Sequence, residues 1–189
     1  MKETARLETF ADGVFAIAIT LLVLEIHLPG PGEDLGKALL AQWPSFAAYV
    51  TSFLGIGVMW VSHHQMFTII HKVTPTFLFL NVLLLLPVAF TPYATALLAQ
   101  HVLEPEGRTI AVLVYGLTSV LIATMFNVLW IYATRHGLVM GGVAISGFRL
   151  GPLVYLAATG VAIVSPIVGL LMFAALAGYW MLPGRIPSA

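Results

Sequence analysis

The chain has 189 residues, of which 60% are hydrophobic and 8% charged, and its mean hydropathy is +0.99. Soluble domains carry about 25% charged residues, so this composition indicates an integral membrane protein. Cysteine is absent, which excludes disulfide frameworks and thiolate metal sites. The formal net charge is zero and the cations are scattered singly, so we predict no nucleic-acid partner. We also predict no enzymatic activity.

Six apolar segments follow one another along the chain, separated by polar or Pro/Gly-rich breaks such as HLPGPGEDLGK at 27–37, which predicts an exposed loop. A membrane-spanning helix needs about 20 mainly apolar residues. We therefore predict one all-α domain over residues 1–189, a bundle of six transmembrane helices in the lipid bilayer. The predicted spans are 7–27, 45–67, 76–100, 109–134, 148–164 and 167–182.

The last two predicted spans are short and meet at Ser165 and Pro166. Proline cannot continue a helix interior, so the chain must break there. The sequence leaves open whether these are two short tilted spans or one broken hairpin.

The positions of the cations predict the orientation, because short cytoplasmic loops are enriched in Lys and Arg. With six spans, only Lys37 and Arg108 lie on one side, beside acidic residues. We therefore predict a multi-pass protein of the cell membrane with both termini cytoplasmic. The cations on the predicted cytoplasmic side are Lys2, Arg6, Lys72, Arg135, Arg149 and Arg185.

The first predicted helix begins with Arg6 and Asp12 and then carries almost no charge. An uncompensated charge in a membrane costs about 2.5–3.5 kcal/mol, so both need partners. Arg6 can snorkel to the headgroups, and Thr9 or Asp12 can cap the helix. Beyond them Ile17, Leu21 and Leu24 share one stripe, with Thr20 at its edge. That pattern fits close packing on other helices and equally a lipid-facing surface.

A second polar cluster, WVSHHQMF at 60–67, ends the second predicted helix at the same depth. Helical spacing predicts that Trp60, His64 and Phe67 share a face while His63 turns partly aside. We expect His64 to hydrogen-bond Asp12 and so fix the first helix against the second. Adjacent histidines point about 100° apart, which is poor geometry for a shared metal or haem.

The third predicted helix carries Asn81, which we expect to form a hydrogen bond between helices, and two prolines, Pro87 and Pro92, which we expect to kink it.

Arg6, Phe10 and Asp12, followed by GVFAIAIT, resemble the RxxxFSD signature that opens each six-helix unit in the family of the lysosomal potassium channel transmembrane protein 175 and its prokaryotic relatives. The cluster of Trp60, His63, His64 and Phe67 resembles the second-helix motif of that family. Ala11 departs from the usual Ser of the signature and removes one hydroxyl.

This resemblance implies a homotetramer that conducts K⁺ without cofactors and whose first helices line the pathway. It implies an apolar constriction at Ile17, Leu21 and Leu24 and a role for Thr20 in cation preference. The signature and second-helix residues are then structural and hold the pore helix. The filter motif TVGYG is absent from the sequence, so selectivity must arise otherwise.

A proton-coupled secondary transporter that uses Asp12 and His64 is the alternative. Transporters of this kind show inverted repeats and ionisable residues near the membrane midplane, and the sequence shows neither.

Overall fold

The structure, a computed structural model, describes residues 4–139 and 150–181. Apart from one isolated antiparallel bridge between Ile70 and Val139, these ranges are helical or irregular. The helices are α1 (Ala5–Leu21, continued by a 3-10 turn over Leu22–Glu25), α2 (Leu35–Ala41), α3 (Trp43–Ile69), α4 (Pro75–His101), α5 (Arg108–Arg135), α6 (Gly151–Val164) and α7 (Pro166–Met181).

The described ranges hold seven helices, so the predicted count of six is corrected. The additional helix, α2, begins at the end of the segment predicted as an exposed loop and ends before the second predicted span. The Asp34 carboxylate accepts a hydrogen bond from the Lys37 amide at 3.2 Å and so caps its start. Its residues are exposed or half-buried, so no periodic apolar face marked it in the sequence.

Each of the six predicted spans corresponds to one apolar helix, with ends within three residues of those predicted. Positions 148, 149 and 182 of these spans lie outside the described residues, as do Lys2 and Arg185. Four helices, α1 with its 3-10 turn, α3, α4 and α5, are long and apolar enough to cross a membrane. The apolar α6 and α7 are shorter.

The helices pack in a connected order that places α1 at one side of the bundle. It contacts α3 and α4, and α3 further contacts α4 and α7. On the other side α4 packs on α5, α5 on α6, and α6 on α7. Among the described helices, the pore helix predicted from the sequence therefore has neighbours on one side only.

The α6–α7 pair folds back on itself at the break predicted from the sequence. The chain breaks at Ser165, and a side chain at Gly169 would overlap Ala162 across the two helices. Such close contact between residues seven positions apart requires the chain to reverse direction. The pair is therefore a helical hairpin.

Buried hydroxyls join three helices in the halves that lie nearest the connection between α4 and α5. The Thr95 Oγ1 of α4 donates to the Ser52 Oγ of α3 at 2.8 Å, and Ser52 Oγ lies 3.1 Å from the Tyr115 hydroxyl of α5. All three side chains are buried, so the cluster fixes the register of these helices within the bundle.

Candidate ion pathway and its supporting network

One face of α1 is buried and the opposite face is open. The buried face is made by residues that recur every three or four positions, namely Leu7, Ala11, Phe15, Ala18 and Leu22. The open face carries the predicted constriction residues: Ile17 is 61% exposed, Leu21 41% and Leu24 72%. Large apolar side chains on a helix face that the subunit leaves uncovered must meet lipid, another subunit or a pore.

Thr20 lies on the same open face. Its Oγ1 donates to the carbonyl oxygens of Ala16 at 3.0 Å and Ile17 at 2.9 Å. Because the hydroxyl proton is directed at the helix backbone, the oxygen lone pairs are turned outward, where a cation can use them.

Asp12 is fixed by a hydrogen bond to α3. The Trp60 Nε1 donates to the Asp12 Oδ1 at 2.8 Å, and the Trp60 ring stacks on His64 with centroids 6.0 Å apart. The predicted Asp12–His64 hydrogen bond is therefore wrong. The indole reaches the carboxylate, and His64, one turn further along α3, lies against the indole ring instead.

His63 is the buried member of the second-helix motif. It is 1% exposed, its Nε2 lies 2.9 Å from the Asn81 Oδ1 of α4, and it stacks on Phe67 at 4.3 Å. The hydrogen bond expected for Asn81 is thus confirmed, with a partner that the sequence did not identify.

Trp60, His64 and Phe67 share one side of α3, but they are not buried alike. The motif residues lie within one arc of about 100° on α3. The packing of α4 divides that arc, so His63 and Phe67 turn inward while Trp60 and His64 stay exposed.

The start of α1 also differs from expectation. The helix begins at Ala5, so Thr9 and Asp12 lie inside it and neither caps it; the Thr9 Oγ1 donates to the Ala5 carbonyl at 2.9 Å. Arg6 is exposed and forms no ion pair within the described ranges. Phe10 is 55% exposed on the open face.

A groove of about 360 Å³ runs between α1 and α3 beside the open face. It contains the Asp12–Trp60 pair, and no pattern in the sequence predicted this groove. Within the described ranges, no three His, Asp or Glu side chains come together in a way that could hold a metal ion. The groove is lined by Asp12, Phe15, Ala16, Ile19, Ile56, Gly57 and Trp60.

Comparison with known proteins places these features in a family. The family described as the endosomal/lysosomal potassium channel TMEM175 matches residues 6–92, which include α1, α3 and the motifs on both. A potassium channel of Streptomyces collinus is 51% identical over 140 residues, or 72% of this chain and 68% of that protein. A potassium channel of Chamaesiphon minutus is 42% identical over 175 residues, or 86% of each chain.

A mammalian relative and a solved crystal structure are also similar to this chain. The human endosomal/lysosomal proton channel TMEM175 is 34% identical over 142 residues, which are 69% of this chain and 28% of the human protein. The crystal structure of a lysosomal potassium-selective channel TMEM175 homolog from Chamaesiphon minutus superposes with a TM-score of 0.85 at 41% identity, covering 94% of this chain and 96% of that one. This chain belongs to the TMEM175 family, because it is 51% and 42% identical to the two bacterial relatives and covers more than two thirds of the length of each.

Proposed function

We propose that the chain is a passive, K⁺-preferring channel of the cell membrane that assembles as a homotetramer around four α1 helices. The observation that carries the proposal is the open face of α1, where Ile17, Leu21 and Leu24 are exposed on a helix that has neighbours on one side only among the described helices. The bacterial relatives named potassium channels support K⁺ as the ion.

The three apolar residues form successive rings in such a tetramer. Ile17 and Leu24 are seven residues apart, so the rings extend over about 10 Å of the axis at 1.5 Å per residue. Rings of apolar side chains hold back ions by excluding water from the narrow passage. The constriction in this proposal is therefore a hydrophobic gate.

Selectivity in this channel rests on pore width and on hydroxyl oxygens. Thr20 lies between the Ile17 and Leu21 levels and turns its lone pairs outward, whereas LGIGV at 54–58 lies inside α3 and offers no free carbonyls. Four threonine hydroxyls replace only part of the hydration shell of a K⁺ ion. We expect a modest preference for K⁺ over Na⁺.

Proton coupling through Asp12 and His64 is the alternative mechanism. The mammalian relatives carry the name proton channel, so proton movement is a quantity to measure. The two groups share no hydrogen bond, because Asp12 accepts from Trp60 and His64 stacks on its ring. This arrangement favours passive permeation over a relay between them.

The test is ion flux into liposomes that contain the purified protein. Wild type is compared with Ile17→Ala and Ile17→Asn, which widen or wet the constriction, and we expect K⁺ flux to rise in both. Leu171→Asn is the matched control, because Leu171 lies on α7 and is 63% exposed, close to the 61% of Ile17. We expect it to leave flux unchanged.

Parallel measurements with Na⁺ and with an imposed proton gradient separate the mechanisms. Passive flux that follows the K⁺ gradient and rises only in the Ile17 variants supports the channel. Flux that needs the proton gradient and is insensitive to Ile17 would assign the α1 stripe to lipid and favour the transporter.

A further inference from the structure

Each subunit carries two different apolar flanks, one on each side of α1. Both α3 and α4 contact α1 and each other, while α3 also contacts α7 and α4 also contacts α5. Their exposed faces must therefore point away from one another. The α3 flank is Trp43, Phe46, Val50, Phe53 and Trp60, and the α4 flank is Phe79, Val82, Leu86 and Tyr93, all at least 40% exposed.

The α3 flank includes the groove between α1 and α3. Its volume of about 360 Å³ is many times the roughly 10–15 Å³ that a cavity needs to hold one water molecule. Asp12 lines the groove about 10 Å from the start of α1, since seven residues at 1.5 Å separate it from Ala5. A carboxylate facing lipid at that depth is costly, so a protein surface is the better cover.

The depth of the groove can be compared with that of the α4 flank. The His63–Asn81 hydrogen bond sets these two residues at one level, six positions from the adjoining ends of α3 and α4. The helices run in opposite directions, so residues 56–60 on α3 lie level with about residues 84–88 on α4. Leu86, 64% exposed, stands at the middle of that range.

We propose that α4 of a neighbouring copy fills the groove, with Leu86 seated against Gly57 and beside the Asp12–Trp60 pair. This inference rests on the proposed tetramer. A contact between two different flanks is heterologous and closes into a ring when repeated around an axis. Each copy then completes its neighbour's pore wall, because the incoming α4 covers the Asp12–Trp60 hydrogen bond and supports α1 at Ala16.

The absence of native cysteine permits a direct test by disulfide cross-linking. Within the described part of the chain, no atom comes within 4 Å of a Cβ added at Gly57, so Gly57→Cys fits there. We expect the double variant Gly57→Cys, Leu86→Cys to cross-link on mild oxidation in membranes, since seated contact brings the Cα atoms within the roughly 4.4–6.8 Å that a disulfide needs.

The pattern on a non-reducing gel decides between arrangements. A heterologous ring gives a ladder of covalent dimer, trimer and tetramer, and the two single variants mixed before reconstitution give dimer at most. A double variant that stops at dimer, or that stays monomeric on the gel although it elutes as an oligomer, would overturn the proposal and assign the groove to lipid.

The matched control is Gly57→Cys with Tyr93→Cys, on the same α4 face but about 10 Å further along the helix. We expect little cross-linking there, and equal cross-linking at both positions would contradict the seated contact. K⁺ flux of the reduced double variant separates this inference from the proposed function. If the protein conducts K⁺ but the double variant gives no ladder of covalent oligomers, only the proposed interface is refuted. If the ladder forms but the wild type shows no K⁺ flux, only the proposed channel function is refuted.

Discussion

At the scale of single residues, one hydrogen bond explains why an aspartate lies where the uncharged part of α1 begins. The Asp12 carboxylate is held at 2.8 Å by the Trp60 indole, which ties α1 to α3 near the start of the open face. A charge-assisted bond of this kind is stronger than a neutral one. Asp12 is thus a fixed point from which the remaining three turns of α1 extend.

Trp60→Phe removes the donor and keeps the ring that stacks on His64. We expect the free energy of unfolding to fall by about 1–2 kcal/mol, because the carboxylate loses a charge-assisted bond and Trp60 is only partly buried. Thermal unfolding in detergent measures this. The control is Trp43→Phe, because Trp43 lies on the same helix and is 45% exposed, close to the 43% of Trp60. Equal stability of the two variants would contradict the role of the Asp12–Trp60 hydrogen bond.

Thr20→Val keeps the shape of the side chain and removes its oxygen. We expect the K⁺ to Na⁺ permeability ratio to fall about two- to tenfold, corresponding to an interaction of about 0.5–1.5 kcal/mol per ion. Reversal potentials in planar bilayers give the ratio. Thr9→Val is the matched control, because the Thr9 hydroxyl, like that of Thr20, donates to the carbonyl oxygen four residues earlier. A ratio unchanged by Thr20→Val would remove Thr20 from the pathway.

The sequence predicted which residues lie where α1, α3 and α4 meet more readily than it predicted their contacts. Trp60 and His64 are both long, polar-tipped side chains within reach of Asp12, and helical spacing does not distinguish which one bonds it. Similarly, His63 and Phe67 lie within the same arc as Trp60, and only the position of α4 determines which of them is buried.

At the scale of helices, the spans follow from composition because each needs a long apolar run. The α2 helix was missed because seven residues with no buried face leave no periodic signal, and its start depends on one capping carboxylate. The register between helices was equally hidden. It depends on places where two backbones approach closely, such as Gly116 of α5 against Thr159 of α6.

Gly116→Ala should destabilise the bundle, because the added methyl overlaps the Thr159 side chain and separates α5 from α6. We expect a loss of about 1–3 kcal/mol in the free energy of unfolding. The control is Gly160→Ala. Gly160 is next to Thr159 in the chain, and no described atom lies within 4 Å of the added methyl. It should be neutral or stabilising by up to about 1 kcal/mol. Thermal unfolding that ranks the two variants the other way would disprove the close approach.

At the scale of the whole molecule, the membrane orientation remains a prediction from the cations. Lys72→Cys, between α3 and α4, should be protected in intact cells from a membrane-impermeant maleimide. Glu106→Cys, between α4 and α5, should react; both positions are exposed. Labelling in permeabilised cells controls for reactivity. The reverse pattern would place the termini outside.

The sequence could not predict which apolar surfaces of the molecule are covered in the assembly. The stripe of Ile17, Leu21 and Leu24 and the flank around Leu86 have the same composition, since lipid, a partner helix and a dewetted pore all favour large apolar side chains. Among the described helices, only the packing order distinguishes the α1 stripe from the α4 flank, because it leaves α1 with neighbours on one side.

The two prolines of α4 have a mechanical consequence. Pro87 and Pro92 remove backbone donors from the middle of the helix, while His63 and Ser52 of α3 anchor it on either side, at Asn81 and Thr95. Counting from the Asp12–Trp60 level, Ile17 lies level with about residue 89, between the prolines. Bending of α4 is therefore easiest at the height of the proposed Ile17 ring, and we expect lateral tension that flexes the bundle to move α4 behind Ile17 more than its anchored ends.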